Sequence, residues 1–208
     1  MIVRFSIRIS ILAALTAAFG TPHHVGAKGT VSGTLLRGSR SVASAVVQLI
    51  PVVQQMNSGA DTALIDQSHL RFTPAVVPLE VGSTIEFLNS DPIMHNVFGP
   101  GREESAFDLG TFPQGESRFR TFDQVGSHII LCHVHPEMVA WVVVSPSAFS
   151  GVTRDDGGFV VDSVPAGSYD VRVWHRRWTH EAGRLDVPVG GVSRWTIRAA
   201  QANGETGR

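Results

Sequence analysis

The sequence predicts an all-β fold of one or two domains. Its 208 residues include 21 glycines and 11 prolines, which are spread between short valine-rich runs. Frequent turn residues between short apolar runs are typical of strands joined by tight turns. Because 43% of the residues are hydrophobic, the chain can build a packed core, and the composition argues against both a helical bundle and a disordered chain.

The N-terminal residues 1–27 are predicted to be a signal peptide outside this fold. Arg4 and Arg8 lie beside an apolar run at residues 9–19, and the small residues 25–27 follow. This is the layout of a cleavable secretory signal. The run is short for a membrane span, although an uncleaved anchor is the alternative reading. The sequence therefore predicts a periplasmic or secreted protein with no membrane insertion after signal removal.

The charge balance excludes some classes of partner. The whole chain has 17 basic and 18 acidic residues, and loss of residues 1–27 leaves 15 basic and 18 acidic ones. A mildly acidic chain lacks the basic surface that nucleic acids and anionic membranes require. We therefore expect no nucleic-acid partner.

Apolar alternation predicts the strands of the remaining chain. Two strands around a turn at residues 38–40 are expected within residues 28–67, and residues 52–66 have no clear periodicity and are interpreted as a connector. Alternating apolar residues at 77–81 and 85–87 predict further strands, as do residues 128–132 and 139–144, whereas residues 103–118 are rich in turn formers. Residues 159–161, 169–173 and 193–198 predict a last group of strands, and residues 201–208 are expected to be a disordered tail.

The lone cysteine suggests a metal site. An exported chain meets an oxidising compartment, where Cys132 has no partner for an intramolecular disulfide. It is therefore either buried and inert or bound to a metal. The loop at residues 132–138 reads CHVHPEM, so Cys132, His135 and Met138 surround one turn. A thiolate, imidazole and thioether suit copper, and the second histidine of such a set is best supplied by His95 at the end of another strand.

Residues 70–145 resemble a cupredoxin, with the short CxxHPxM ligand loop of the amicyanin and plastocyanin group. Further matching positions are Phe72, Pro74, residues 81–85, residues 95–97 and Gly126 with Ser127. The resemblance implies a Greek-key sandwich and a mononuclear type 1 copper site. The copper ligands that it implies are His95, Cys132, His135 and Met138.

For other side chains near these loops the sequence suggests further roles at or near the site. Glu137 is the rival of Met138, because a carboxylate in the axial position would favour a different type of copper site or zinc. Asn96 is expected to tether the two ligand loops through its amide. His133 should point to the opposite face of the strand, His128 lies too low on it, and Met94 is expected to cover the site.

The same residues argue against an enzyme. No Asp or Asn that would orient a catalytic histidine is evident beside Cys132, and the chain has too few histidines for the additional copper centres of a multicopper oxidase. The resemblance instead implies a one-electron carrier, with the ring edge of His135 as the electron exit and a transient redox protein as partner. The alternative is a non-redox role in copper storage or delivery, or a β-sandwich adhesion module. The apolar frame expected around the exit consists of Pro92, Ile93, Val97, Phe98 and Pro136.

Residues 151–175 resemble the second half of a carboxypeptidase regulatory-like, transthyretin-like β-sandwich. Residues 31–34 and 45–49 could supply its first half. The predicted organisation is then a signal peptide (1–27), an N-terminal β segment (28–67), a cupredoxin domain (68–145), the regulatory-like module (146–200) and the tail (201–208). In one reading the cupredoxin is inserted into a discontinuous module, and in the other residues 30–53 form edge strands of the cupredoxin.

Overall fold

The computed structural model describes residues 27–53, 61–101 and 105–200, and these ranges contain strands and turns but no helix. Seventeen strands follow one another along the chain, which confirms the predicted all-β class. They are β1 (Gly29–Arg37), β2 (Arg40–Ser41), β3 (Val46–Pro51), β4 (Thr62–Ser68), β5 (Arg71–Thr73), β6 (Val76–Glu80), β7 (Thr84–Asn89), β8 (His95–Gly99), β9 (Phe107–Phe112), β10 (Ser117–Thr121), β11 (Gly126–Leu131), β12 (Val139–Ser145), β13 (Ser150–Val152), β14 (Gly158–Val164), β15 (Gly167–His175), β16 (Trp178–Val187) and β17 (Val192–Ala199).

Strands β4 to β12 form one β-sandwich, here called the inner sandwich. One sheet has the order β10-β7-β4-β5 and the other the order β6-β12-β11-β8-β9. Alternate apolar residues of the two sheets face each other and form a common core, as the period-2 pattern predicts. Phe87 of β7 and Ile130 of β11 are fully buried in it.

The remaining strands form a second unit, here called the outer sandwich. Strand β1 pairs with β14 and, in parallel, with β17, while β2 pairs with the end of β1. The facing sheet has the order β13-β3-β15-β16. Strands from residues 29–51 thus pair with strands that follow residue 149, and the inner sandwich lies between them in sequence. The likeness of this unit to regulatory-like modules stays a prediction.

The two sandwiches meet in a small apolar cluster. Val46 of β3, Val143 of β12 and Trp174 of β15 are buried together. The ring of Trp141 lies against that of Trp174, with 5.4 Å between their centroids. The junction therefore packs through side chains that point away from both main cores.

Two sequence-based interpretations of secondary structure are wrong. The expected connector at residues 52–66 contains most of β4, which pairs in parallel with β7 across the predicted domain boundary at residues 67 and 68. The turn-rich segment at 103–118 contains β9 and the start of β10. The predicted signal peptide, apart from Ala27, and the predicted tail lie outside the described residues. The described part of the chain contains no helix long and apolar enough to cross a membrane.

Candidate metal centre

Three side chains from distant parts of the sequence converge at one end of the inner sandwich. His95 is the first residue of β8, Cys132 directly follows β11, and His135 lies in the loop before β12. One ligand atom from each residue can be chosen so that all three lie within 4.8 Å of one another. Strands β8 and β11 are antiparallel neighbours, so the first residues of β8 and the last residues of β11 lie at the same end of the sheet. The pairing therefore brings His95 to the Cys132 loop.

Burial separates the two rival residues at the end of this loop. Met138 is 1% exposed and belongs to the same core cluster as Cys132, whereas Glu137 is exposed. The Met138 amide donates to the His135 carbonyl over 3.0 Å, which closes a tight turn around Pro136. The turn directs the thioether into the core and the carboxylate towards solvent. The cluster of potential ligands found among the described residues accordingly contains no carboxylate.

The two imidazoles face each other through their Nδ1 atoms, which are 3.0 Å apart. The other nitrogen of His95, Nε2, donates to the Asp91 carboxylate over 2.9 Å. A carboxylate on the second nitrogen of a metal-binding histidine fixes the ring and its tautomer. The expectation that no Asp orients a histidine at this site is therefore wrong. The signal available in the sequence was the spacing, since Asp91 precedes His95 by four residues within one turn-rich loop.

Asp91 is ionised at neutral pH although most of its surface is buried. Burial by itself would raise the pKa of its carboxyl, but hydrogen bonds from the Leu70 amide, the His95 ring and the His69 amide outweigh that effect and lower the pKa below its ordinary value. A negative charge therefore lies beside the fully buried His95 ring. Such a charge favours a cation bound to that ring.

Asn96 ties the two ligand loops together, as predicted. Its backbone amide donates to the sulfur of Cys132 over 3.4 Å, and its side-chain oxygen accepts from the His133 amide over 3.3 Å. Its side-chain amide donates to Asp108 over 2.7 Å. Hydrogen bonds from the Gly110 amide and from Asn96 lower the pKa of the Asp108 carboxyl. Asn96 thus fixes the sulfur and the loop that carries it.

The other histidines and Met94 lie outside the cluster. His133 points to solvent and stacks on Phe98, with the ring centroids 3.6 Å apart. His128 forms a hydrogen bond with the carbonyl of Gln124 and is not part of the cluster. Met94, expected to cover the site, is 52% exposed.

The surface around His135 differs in part from the expected apolar frame. Pro92, Ile93 and Pro136 are exposed, but Val97 is fully buried in the core and Phe98 is half-buried beneath His133. Including Val97 was wrong, because it lies two residues after His95 on β8 and so points to the same interior face. The exposed apolar residues of these loops define what we call the exit patch: Pro92, Ile93, Met94, Val134 and Pro136.

The donors present fit a soft metal ion. Two imidazole nitrogens and one cysteine sulfur converge, and a buried methionine lies in the same cluster of side chains. Imidazole and thiolate each suit several metals, but two histidines and a cysteine together with a weak thioether donor form a set typical of copper. The residues that would hold copper are therefore His95, Cys132 and His135, with Met138 as the available fourth donor.

Solved structures similar to this chain include copper proteins, although no family model matches it. A purple cupredoxin from Nitrosopumilus maritimus is 22% identical over 40% of this chain and 99% of its own, with a TM-score of 0.36. A reduced variant of amicyanin is 21% identical over 49% of this chain and 99% of its own, with a TM-score of 0.39. The copper-containing nitrite reductase of Thermus scotoductus SA-01 is 24% identical over 47% of this chain but only 25% of its own, with a TM-score of 0.37. Because each likeness covers less than half of the chain at low identity, function has to be argued from the site itself.

Proposed function

We propose that this chain is an exported mononuclear type 1 copper protein that carries one electron at a time. The observation that supports this most strongly is the convergence of two imidazoles and one thiol within 4.8 Å. Two of these side chains, His95 and Cys132, are almost completely buried. Metal binding would give Cys132, which is buried and has no disulfide partner, a chemical role that a small apolar residue could not have.

The position of Met138 favours this type of site over the alternatives with Glu137. A site with a carboxylate ligand would need Glu137 to turn inward, and its side chain is exposed. Met138 is already buried beside Cys132 in the core. A weak thioether donor beside two histidines and a cysteine is the type 1 copper set.

The chain holds its donor atoms on short loops at strand ends. Bound copper would supply the chemistry by cycling between Cu(I) and Cu(II). The hydrogen bond from the Asn96 amide to the Cys132 sulfur and the hydrogen bond between the His95 ring and Asp91 hold these two donors in place before any metal binds. A site that is already formed needs little rearrangement between oxidation states.

The visible spectrum during Cu(II) titration of the mature protein tests the proposal. We expect an intense thiolate-to-copper charge-transfer band that disappears and returns on reduction and reoxidation, and no band in Cys132→Ser. Tight Cu(I) binding without the band would instead indicate storage or delivery. Met138→Leu should alter the spectrum while Glu137→Gln leaves it unchanged, and the reverse result would indicate a carboxylate-ligated site.

The exit patch is proposed as the contact surface for a transient redox partner. Its apolar members lie on the loops that carry or precede His95 and the partly exposed His135, and Ile93 is 44% exposed. Apolar surface near the metal allows close approach without a tight complex. Electron self-exchange between reduced and oxidised copies measures this contact directly. Ile93→Glu should slow it about tenfold, whereas Val189→Glu on the outer sandwich should not, and equal slowing by both would contradict the assignment.

A further inference from the structure

The hairpin between β4 and β5 has a conformation that its residues do not favour. Ser68 pairs with Arg71, so only His69 and Leu70 form the turn. Both have positive φ angles, 55° and 58°. A two-residue hairpin with two left-handed residues favours Asn-Gly, and a leucine at the second position is strained there, although histidine adopts this conformation more often than most residues do.

Packing of their own side chains does not explain why these two residues keep that conformation. His69 and Leu70 are both exposed, and Leu70 is 40% exposed. A strained backbone persists only where the surroundings hold it in place. The Ser68 hydroxyl lies 2.9 Å from Nδ1 of His69 within the hairpin itself, and the hydrogen bonds from the turn to the loop at Asp91 are made by its backbone amides.

Those contacts lead to the candidate metal centre. The His69 amide donates to Oδ1 of Asp91 over 2.7 Å, and the Leu70 amide donates to Oδ2 over 2.9 Å. The same Oδ2 accepts from Nε2 of His95 over 2.9 Å. The Asp91 amide in turn donates to the side-chain oxygen of Asn89 over 3.0 Å, so the carboxylate itself is held in position. One carboxylate thus joins the turn to a predicted ligand.

We propose that Asp91 is the positioning residue of this site, a clamp that couples the strained His69–Leu70 turn to the imidazole of His95. The proposal rests on the copper site proposed above. Because Nε2 of His95 lies against the Asp91 carboxylate, whose oxygens accept hydrogen bonds, it is Nδ1, which faces His135, that is placed to bind a metal. The two turn amides fix where the carboxylate stands and hence how the ring is aimed.

The clamp has an electronic consequence as well as a geometric one. A carboxylate that accepts from the ring makes the imidazole a stronger donor. A nearby negative charge also favours the more highly charged Cu(II) over Cu(I). Loss of the carboxylate should therefore weaken Cu(II) binding more than Cu(I) binding and raise the reduction potential.

Asp91→Asn and Asp91→Ala test the clamp in the full-length mature protein. We expect Cu(II) affinity to fall about 10- to 100-fold. A tenfold loss confined to Cu(II) corresponds to a rise of about 59 mV in the midpoint potential. Amide hydrogen exchange at His69 and Leu70, measured by NMR without metal, should become faster in both variants. Copper binding to the unmodified protein should slow exchange at the same two amides.

Two control variants separate the clamp from simpler effects. Asp108→Asn removes a nearby negative charge that contacts Asn96 and Gly110 but none of the three ligand side chains. It should change the reduction potential less than Asp91→Asn does. An equal change would show that the loss of any nearby negative charge explains the effect, and would contradict a specific role for Asp91. Leu70→Gly removes a side chain from a residue with positive φ but keeps both amide donors, so it should raise thermal stability, and a loss of stability would contradict the strain assigned to this turn.

The outcomes distinguish this inference from the proposed function. If the unmodified protein forms no charge-transfer band, the copper proposal fails, and exchange at His69 and Leu70 still tests whether Asp91 holds the turn. If the band forms but the affinity and potential of both Asp91 variants match those of the unmodified protein, the clamp is overturned while the copper site stands. Should Asp91→Ala fail to fold, Asp91→Asn gives the decisive measurement.

Discussion

The inner and outer sandwiches are both built from two facing sheets, but they differ in what they bury. At one end of the inner sandwich the interior contains Asn89, Asp91, His95 and Asn96. The main core of the outer sandwich is apolar, and the hydroxyl of its largest buried side chain, Tyr169, donates to a backbone carbonyl. Charged residues of the outer sandwich instead pair on its surface, as Arg172 does with Glu181.

The difference shows what a functional site requires of a β-sandwich. Buried polar groups are costly unless they are hydrogen-bonded, and in the inner sandwich a connected set of hydrogen bonds supports the candidate metal ligands. Asn89, Asp91 and Asn96 each bond to a loop that carries a ligand or to a ligand itself. In the described part of the outer sandwich, the buried side chains that form hydrogen bonds include the hydroxyls of Thr153 and Ser147, which bond to the backbone beside and within β3. No charged side chain is buried there, and apolar packing fills the main core.

Phe159→Ala should produce the largest loss of stability, and this loss should be confined to the outer sandwich. Phe159 is 1% exposed in that core, and removing a buried phenylalanine ring costs about 3–5 kcal/mol of unfolding free energy. Urea unfolding measures the loss. The copper spectrum under native conditions should be retained, and its disappearance would show that the inner sandwich depends on the outer core.

Asn96→Ala should have a smaller effect on stability but a direct effect on the metal site. Loss of the side-chain bonds to His133 and Asp108 should cost about 1–2 kcal/mol and weaken copper binding about 10- to 100-fold. Equilibrium titration and the visible spectrum provide the measurement. Gln48→Ala removes a buried polar side chain of the outer sandwich and serves as the control. A spectral change in the control as large as in Asn96→Ala would contradict the division of roles.

Removal of His175 should produce the smallest change, seen only as a function of pH. Burial and the positive charges of Arg176, Arg177 and Arg37 lower the pKa of this histidine below its usual value near 6.5. The unfolded chain therefore takes up the proton first as the pH falls, and stability declines from about pH 6.5 down to the folded-state pKa. In His175→Gln the stability should decline less between pH 7 and pH 5. Arg177→Gln should also reduce the decline, and no change in either variant would contradict this.

Local spacing in the sequence was sufficient to predict much of the site. The loop from Cys132 to Met138 displays its donors in one short segment, and the structure brings His95 to Cys132 and His135. Asp91 was missed because its role depends on how a turn-rich loop folds back on β4 and β5. Periodicity describes strands, but it does not indicate which loop carboxylate will meet which ring.

Strand β4 was missed for a related reason. Its inward-facing positions include the fully buried Gln67, whose backbone carbonyl accepts from the amides of Ser90 and Asp91. A polar residue at an interior position removes the apolar alternation by which strands are recognised. Gln67 therefore supports the loop of the site and, because it is polar, also hides β4 from a search for apolar alternation.

The place where the inner sandwich enters the outer one has a consequence for folding. Strands β3 and β13 pair antiparallel, with Val46 opposite Val152 and Gln48 opposite Ser150, so an entire folded unit takes the place of a hairpin turn. Closing so long a loop costs conformational entropy while the intervening chain is unfolded. Once that chain has folded, its two ends are held together and most of this cost has been met. We therefore expect the segment that carries the candidate metal ligands to fold first and to act as the template on which the two halves of the outer sandwich assemble.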